Sequence, residues 1–465
     1  MRRVLLCLFI ATSTLMAGCL GGGEGIVSDE RVAPIFDDYV MIDEAAHGDA
    51  REFITIDLRT NETTNTTWAV FNKDYGGNCC EHYIATTIEG DIMNIGGEYP
   101  VYTEDRGHQW TTYTPGIIPD TQCRTFVPTN SGQEGLGEGS IVQATNGDII
   151  SMSWFPYIGA DGKIDKFYAI LYDDSEEEWS WCYNRITEPF YDRSWQVEVV
   201  GPISSSLGSG DWASIVVSNF WHQTQNAGGQ ISVDGLNYYP FQFPNRGGGD
   251  PTIELDLNFT EAGLPAYYDV NKPHKEMRSF PFPSGGLLFP SYYDNGNAAY
   301  MDTTLSWNEL EVQFPSEYCQ IDSTGSIHCM KNTGTDFTHF ISYDGANSWQ
   351  NYTYQMGNVS TSIEEWEFQA NGELDLFVLN IRYQSSEGPD VDMVYHVRGY
   401  SEDMSPDTLT YIGAGDLDST SGAGNDIRFD FASLAILSDG GVVVAFHDST
   451  DADPLFAVEL ELPQY

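Results

Sequence analysis

Two kinds of residue in this chain could do chemistry: scattered arginines and a set of cysteines. Arg124, Arg193, Arg246, Arg278, Arg382 and Arg428 each carry a planar guanidinium. That fork grips a carboxylate through two parallel hydrogen bonds, which a lysine ammonium cannot match. Arg193 lies in Tyr191-Asp192-Arg193-Ser194-Trp195, and the one basic cluster follows Tyr267-Tyr268-Asp269 as Lys272, His274, Lys275 and Arg278. The candidate ligand-binding residues are therefore Arg124, Asp192, Arg193, Trp195, Tyr268, Lys272, His274 and Arg278. Structural roles compete for all of them. Asp192 and Arg193 could form an internal ion pair with Trp195 filling a gap, and the basic cluster could offset Asp269 and Glu276. His82, His222 and His447 read as strand-end or core histidines. No GxSxG, HExxH or P-loop is present, and 69 acidic residues nominate no glycosidase pair. Catalytic residues stay unassigned.

Beyond Cys19, six cysteines belong to the folded region: Cys79, Cys80, Cys123, Cys182, Cys319 and Cys329. An even number without a CxxC pair favours disulfides over a metal site. Cys319 and Cys329 flank Asp322-Ser323-Thr324-Gly325, a turn signal, and so face each other across one hairpin. The other four allow Cys80–Cys123 with Cys79–Cys182, or vicinal Cys79–Cys80 with Cys123–Cys182. Asp416-Leu417-Asp418-Ser419-Thr420 resembles part of a calcium loop but lacks the spacing and closing Glu of an EF-hand. No metal or cofactor is expected.

The address is written at the start. Arg2 and Arg3 precede an apolar stretch, Val4 to Leu15, and Ala17-Gly18 offers a small-residue cleavage site. The run Leu15-Met16-Ala17-Gly18-Cys19 resembles the lipobox of prokaryotic lipoproteins, with Met16 where leucine is commoner. The resemblance implies lipidation of the Cys19 thiol and anchorage at the outer face of the cytoplasmic membrane, with Leu20–Gly25 as tether. The chain carries 69 Asp and Glu against 20 Lys and Arg, a net charge of −49. Phosphates would be repelled, so nucleic acid is excluded as a partner. The acid-rich, lysine-poor composition resembles proteins of salt-adapted archaea, in which hydrated carboxylates keep the surface soluble. Sequons at Asn61, Asn65, Asn258, Asn351 and Asn358 would suit glycosylation.

The elements that must position these residues recur along the chain. An apolar strand, an Asp and an aromatic five residues later appear as Asp105 with Trp110, Asp174 with Trp179, Asp234 with Tyr239, Asp302 with Trp307, and Asp344 with Trp349. The carboxylate can accept backbone N–H groups within a turn while the ring packs between strands. A second signal, a glycine turn before an apolar strand, recurs at Gly90, Gly147, Gly325, Gly372 and Gly440. Together they mark seven units about 40 to 70 residues apart, a β-propeller period.

Thr103-Glu104-Asp105-Arg106-Gly107-His108-Gln109-Trp110 and Ser342–Trp349 resemble the box of the Asp-box (BNR-repeat, sialidase-like) propellers. The other copies are degenerate. The resemblance implies an all-β fold of seven blades, with six or eight as alternatives, over residues 51–465. Residues 1–18 are then the signal peptide and 19–50 the lipidated tether. It also implies that the box residues are structural. The last unit shows only three strands, so its fourth is expected from Phe53–Leu58 or Thr67–Phe71. The long connections 114–138, 185–212 and 245–284 would form the ligand face. The expected function is non-catalytic binding of a glycan or surface protein there. The alternative is a sialidase-like exo-glycoside hydrolase, whose family clamps its substrate carboxylate with three arginines.

Overall fold

The computed structural model describes residues 49–58, 60, 62–72, 83–86, 92–95, 100–103, 111–113, 123, 139–154, 166–185, 192–219, 228–241, 279–282, 284–293, 295–322, 324–332, 336–355, 362–371, 374, 376–384, 391–400, 406–416, 433–447 and 454–459. Every regular element among them is a β-strand, and no helix long and apolar enough to cross a membrane occurs among them.

The described residues open with a hairpin, β1 (Asp49–Asp57) and β2 (Thr63–Asn72). Five separate four-stranded sheets follow. The first holds β3 (Tyr83–Thr86), β4 (Ile92–Ile95), β5 (Pro100–Thr103) and β6 (Thr111–Thr112). The second holds β7 (Gly139–Gln143), β8 (Ile149–Trp154), β9 (Lys166–Asp173) and β10 (Glu178–Arg185). In the third are β11 (Asp192–Ser205), β12 (Gly208–Asn219), β13 (Gly228–Ser232) and β14 (Tyr239–Phe241). The fourth has β15 (Phe280–Pro281), β16 (Leu287–Phe289), β17 (Asn297–Met301) and β18 (Trp307–Gln313). The fifth has β19 (Cys319–Ile321), β20 (Ile327–Asn332), β21 (Asp336–Ser342) and β22 (Gln350–Gln355). Each is an antiparallel meander in chain order.

The remaining strands are β23 (Ser362–Asn371), β24 (Leu376–Gln384), β25 (Val391–Tyr400), β26 (Pro406–Asp416), β27 (Ser433–Ile436), β28 (Val442–His447) and β29 (Pro454–Glu459). They join β1 and β2 in one nine-stranded sheet ordered β23-β24-β25-β26-β1-β2-β29-β28-β27. The first strands are neighbours in a closed cycle: β3, β7, β11, β15, β19, β23, β27 and again β3. This is a β-propeller, with its five four-stranded blades and the nine-stranded sheet set around one axis.

One turn recurs, and it explains why short polar runs stop the strands where they do. The first residue donates its N–H to the carbonyl four residues on and accepts from the N–H three residues on. It occurs at Ala144–Asp148, Phe282–Gly286, Tyr293–Asn297, Asp302–Ser306, Asp322–Ser326 and Leu437–Gly441. The fourth residue takes a left-handed conformation, so glycine is favoured there, as at Gly147 (φ 102), Gly325 (φ 88) and Gly440 (φ 86). Leu305 fills that place with φ 61, held because its side chain is buried against Trp307 and the neighbouring sheet.

The core is divided among the seams between sheets. Val199, Ile215 and Ile231 of the third sheet meet Phe289, Met301 and Trp307 of the fourth. Phe280, Leu288 and Ala298 of the fourth meet Ile327, Cys329 and Ala346 of the fifth. Central strands are covered on both faces and lose the simple alternation of apolar and polar residues: Ile327, His328, Cys329 and Met330 are all buried. Cys319 and Cys329 are bonded to each other at paired positions of β19 and β20. Cys123 bonds to Cys182, not to Cys80 as one sequence alternative had it. Cys79 and Cys80 lie outside the described residues.

β2 pairs with β29 from Trp68 opposite Glu459 to Asn72 opposite Leu455. β1 spans from β2 to β26, and Thr55 Oγ1 lies 2.8 Å from Thr66 Oγ1 and 2.9 Å from Thr410 Oγ1. Trp68 is fully buried, edge-on to Phe53. Removing residues 1–72 leaves β26 and β29 as bare edges. That deletion is expected to abolish the single cooperative unfolding transition in a denaturant titration. Trp68→Ala in the full chain should cost about 3–5 kcal/mol, the usual range for a buried Trp truncated to Ala.

Candidate functional site

Successive strands run antiparallel, so first-to-second and third-to-fourth turns open on one rim, and all other connections on the opposite one. The turn rim carries the repeated acids. Asp344 accepts the Ser348 N–H at 2.8 Å and hydroxyls of Ser342 and Ser348. Burial opposes its ionisation, but these bonds outweigh it and lower its pKa. Asp302 accepts from the N–H groups of Thr304 and Ser306, and Asp234 from those of Leu236 and Asn237. In the β9–β10 turn the accepting carboxylate is Asp173, bonded to the Ser175 and Glu176 N–H groups. Asp174, the acid singled out in the sequence, instead donates its N–H to Asp148 Oδ1 at 3.1 Å.

The rings that follow fill seams. Trp179 stacks on Tyr113 with centroids 4.5 Å apart, Trp307 packs on Phe289 at 5.4 Å, and Trp349 on Phe314 at 5.8 Å. In the third sheet the residue reaching the previous seam is Tyr238, whose N–H donates to Asn184 Oδ1 and whose hydroxyl donates to Ser214 Oγ. Tyr239 packs towards the fourth sheet instead. Asp105 and Trp110 lie outside the described residues.

Two seams contain charged groups that the sequence reading missed. Glu198, on β11 yet 4% exposed, accepts the Thr145 N–H at 2.8 Å and its hydroxyl at 2.5 Å. Burial raises its pKa, the Asp148 charge adds to that, and the Thr145 bonds oppose it. Asp148 also accepts from Trp212 Nε1 at 2.9 Å, tying the second sheet to the third.

The other seam holds Asp322, His328 and His339 in a line. His328 Nε2–H donates to Asp322 Oδ2 at 2.9 Å, and His328 Nδ1 lies 3.0 Å from His339 Nε2, the two rings sharing one proton between them. His339 Nδ1 is buried without a hydrogen-bond partner beside Phe368 and Phe377. Burial, aided by the charge of His328, holds the His339 pKa well below the usual histidine value. Burial opposes ionisation of Asp322, but bonds from His328, Thr324 and Ser326 outweigh it and hold the carboxyl at about 2. Neither group reaches solvent, so both serve the seams. A paired Asp and His six residues apart, spanning a turn and a strand, was the only signal for them.

Other candidate residues fall on the opposite rim. Asp192, Arg193 and Trp195 stand at the start of β11 on that rim, in a strand where the sequence suggested a loop, with a register shift between Asp192 and Ser194. Arg382 lies on β24, paired with Glu365. Arg124, Arg246, Tyr268, Lys272, His274, Arg278 and Arg428 lie outside the described residues, as do His82 and His222. The described part of this rim adds an aromatic pair that sequence reading did not select: Tyr318, just before β19, and Trp366 of β23, with centroids 4.2 Å apart and both half-buried. No group of three metal-ligating side chains occurs among the described residues.

No family model and no curated protein matches this chain. Solved structures that resemble it include the NanB sialidase of Streptococcus pneumoniae, 12% identical over 89% of this chain and 93% of that one, with a TM-score of 0.23. An alpha-L-arabinanase of Penicillium chrysogenum is 10% identical over 88% and 99%, with a TM-score of 0.32. The alpha-L-arabinofuranosidase Arb93A of Fusarium graminearum is 9% identical over 81% and 100%, with a TM-score of 0.33. The propeller assignment rests on the chain's own sheets.

His339 sets a pH dependence. Below about pH 6.5 the unfolded chain protonates this histidine and the native state does not, so the unfolded state binds more protons and stability falls with pH. Asp322 adds a second loss between its ordinary value of 3.8 and about 2. The unfolding free energy from urea titrations is expected to drop by up to about 1.4 kcal/mol per pH unit below 6.5 on account of His339. His339→Gln keeps a donor for His328 but does not titrate, and should flatten that slope. Equal slopes in both proteins would exclude His339 as the cause.

Proposed function

We propose that the chain is a carbohydrate-directed β-propeller of seven blades, exported and held at the outer face of the cytoplasmic membrane by lipid on Cys19. In this reading the nine-stranded sheet comprises two blades, β23–β26 and β27-β28-β29-β2, bridged by β1, and the cycle of first strands supports that count. The acid-bearing turns are degenerate Asp-box copies with a structural task.

The observation that carries the functional reading is the division of the rims. On the described turn rim, Asp173, Asp234, Asp302, Asp322 and Asp344 are committed to backbone N–H groups. The opposite rim receives the start of β11, with Asp192, Arg193 and Trp195; Arg124, Tyr268, Lys272, His274 and Arg278 are assigned to the same face from the sequence alone. Guanidinium groups and aromatic rings together suit an acidic sugar, the first gripping its carboxylate and the second covering its apolar face. The reading is wider than the non-catalytic binding expected from sequence: hydrolysis of a glycosidic bond on the same face is the activity to assay first, and retention of the glycan without cleavage the second. A surface-protein ligand is the remaining alternative.

Fluorogenic sialosides and arabinosides, followed by a glycan array, test the proposal on the full chain. Turnover or saturable glycan binding is expected. Trp195→Ala or Arg193→Ala should weaken it about tenfold or more without moving the unfolding midpoint. Absence of both turnover and glycan binding overturns the carbohydrate reading.

A further inference from the structure

Of the five sequons, two have an acceptor asparagine whose side chain is described, Asn65 and Asn351, and both are exposed. Their surroundings differ. Asn65 is on β2, opposite Ile54 of β1 and before the β29 ladder that begins at Trp68, and its Nδ2 donates to Glu52 Oε2 at 2.9 Å. Asn351 is on β22, the edge strand of the fifth sheet, paired through Phe340 on one side only. Its sequon partner Thr353 is also exposed, with its hydroxyl 2.8 Å from Thr338 Oγ1.

We infer that Asn351 is a site of N-linked glycosylation and that Asn65 is not. The glycan donor is a lipid-linked oligosaccharide, activated as a polyprenyl phosphate or diphosphate. The Asn351 Nδ2 forms a bond to the anomeric carbon as the carbon–oxygen bond to phosphate breaks. The phosphate leaves with that electron pair, and the amide gives up one proton to the transferase base. An edge strand suits such a modification: its outer row of N–H and C=O groups is a template for pairing with another chain, and a bulky hydrated sugar on it blocks that approach. Asn65 starts from a worse position. One of its two Nδ2 protons is already held by the Glu52 carboxylate, so the amide must leave that bond before it can react.

The inference rests on the export reading, and the experiment separates the two. The full chain is produced through a yeast secretory pathway, and its peptides are mapped by mass after glycan release by peptide-N-glycosidase in ¹⁸O water. Formation of the Cys123–Cys182 disulfide, read from non-reduced peptides, reports that a molecule reached the oxidising compartment and folded. Among disulfide-bonded molecules, the Asn351 peptide is expected to carry the ¹⁸O-labelled Asp that marks an occupied site, and the Asn65 peptide to remain unlabelled. Thr353→Ser should keep occupancy and Asn351→Gln should abolish it, which guards against loss through misfolding. An unmodified Asn351 in disulfide-bonded chains, or equal occupancy of Asn65, overturns the inference. Chains lacking the disulfide bear on export alone, and a signal sequence known to work in that host then replaces residues 1–18 for the same measurement.

Discussion

The ladder β26-β1-β2-β29 is the contact on which the rest of the ring depends. Each four-stranded sheet buries its faces only against neighbours, so every sheet needs a sheet on both sides. A linear run of such sheets would leave two apolar faces and two open strand edges in water. Here the N-terminal hairpin supplies the missing strand beside β29 and reaches across to β26. The link is made of polar side chains as well as backbone. Thr55 has one hydroxyl neighbour on each side; Thr55 and Thr410 are buried and Thr66 is half-buried.

The seams decide where charge is tolerated. A carboxylate between two sheets loses water on every side and stays ionised only if enough donors converge on it. Asp322 has them and Glu198 has fewer, which is why their acidities move in opposite directions from similar positions. On the turn rim the same residue type costs little, because the turn itself offers N–H groups and solvent covers the rest. An acid-rich chain can therefore carry many turn carboxylates without destabilising the seams.

Much of the architecture was legible because turns and rings obey local chemistry. Asp302 with Trp307 and Asp344 with Trp349 announce both the bend and the seam it feeds. Where the repeat had decayed, the reading slipped by one residue: Asp173 and Tyr238 hold the places that the five-residue rule gave to Asp174 and Tyr239. Spacing carries no information about which of two adjacent acids points into a turn. The buried histidines were illegible for a different reason. His328 and His339 are eleven residues apart on neighbouring strands, and only the register of β20 against β21 brings Met330 opposite His339 and His328 within reach. The Tyr318–Trp366 pair likewise joins two sheets and has no trace in local sequence.

The Thr55–Thr410 contact spans 355 residues of chain. The hairpin made first must wait, exposed, for strands that are made last, and loop closure over such a distance is slow. Until β26 and β29 have emerged, no intermediate can hide all its edges. Ring closure is thus deferred until the strands from both ends of the cycle are present at once. The ring is therefore a lock whose two halves are the first and the last described parts of the chain, and it holds only when both are in hand.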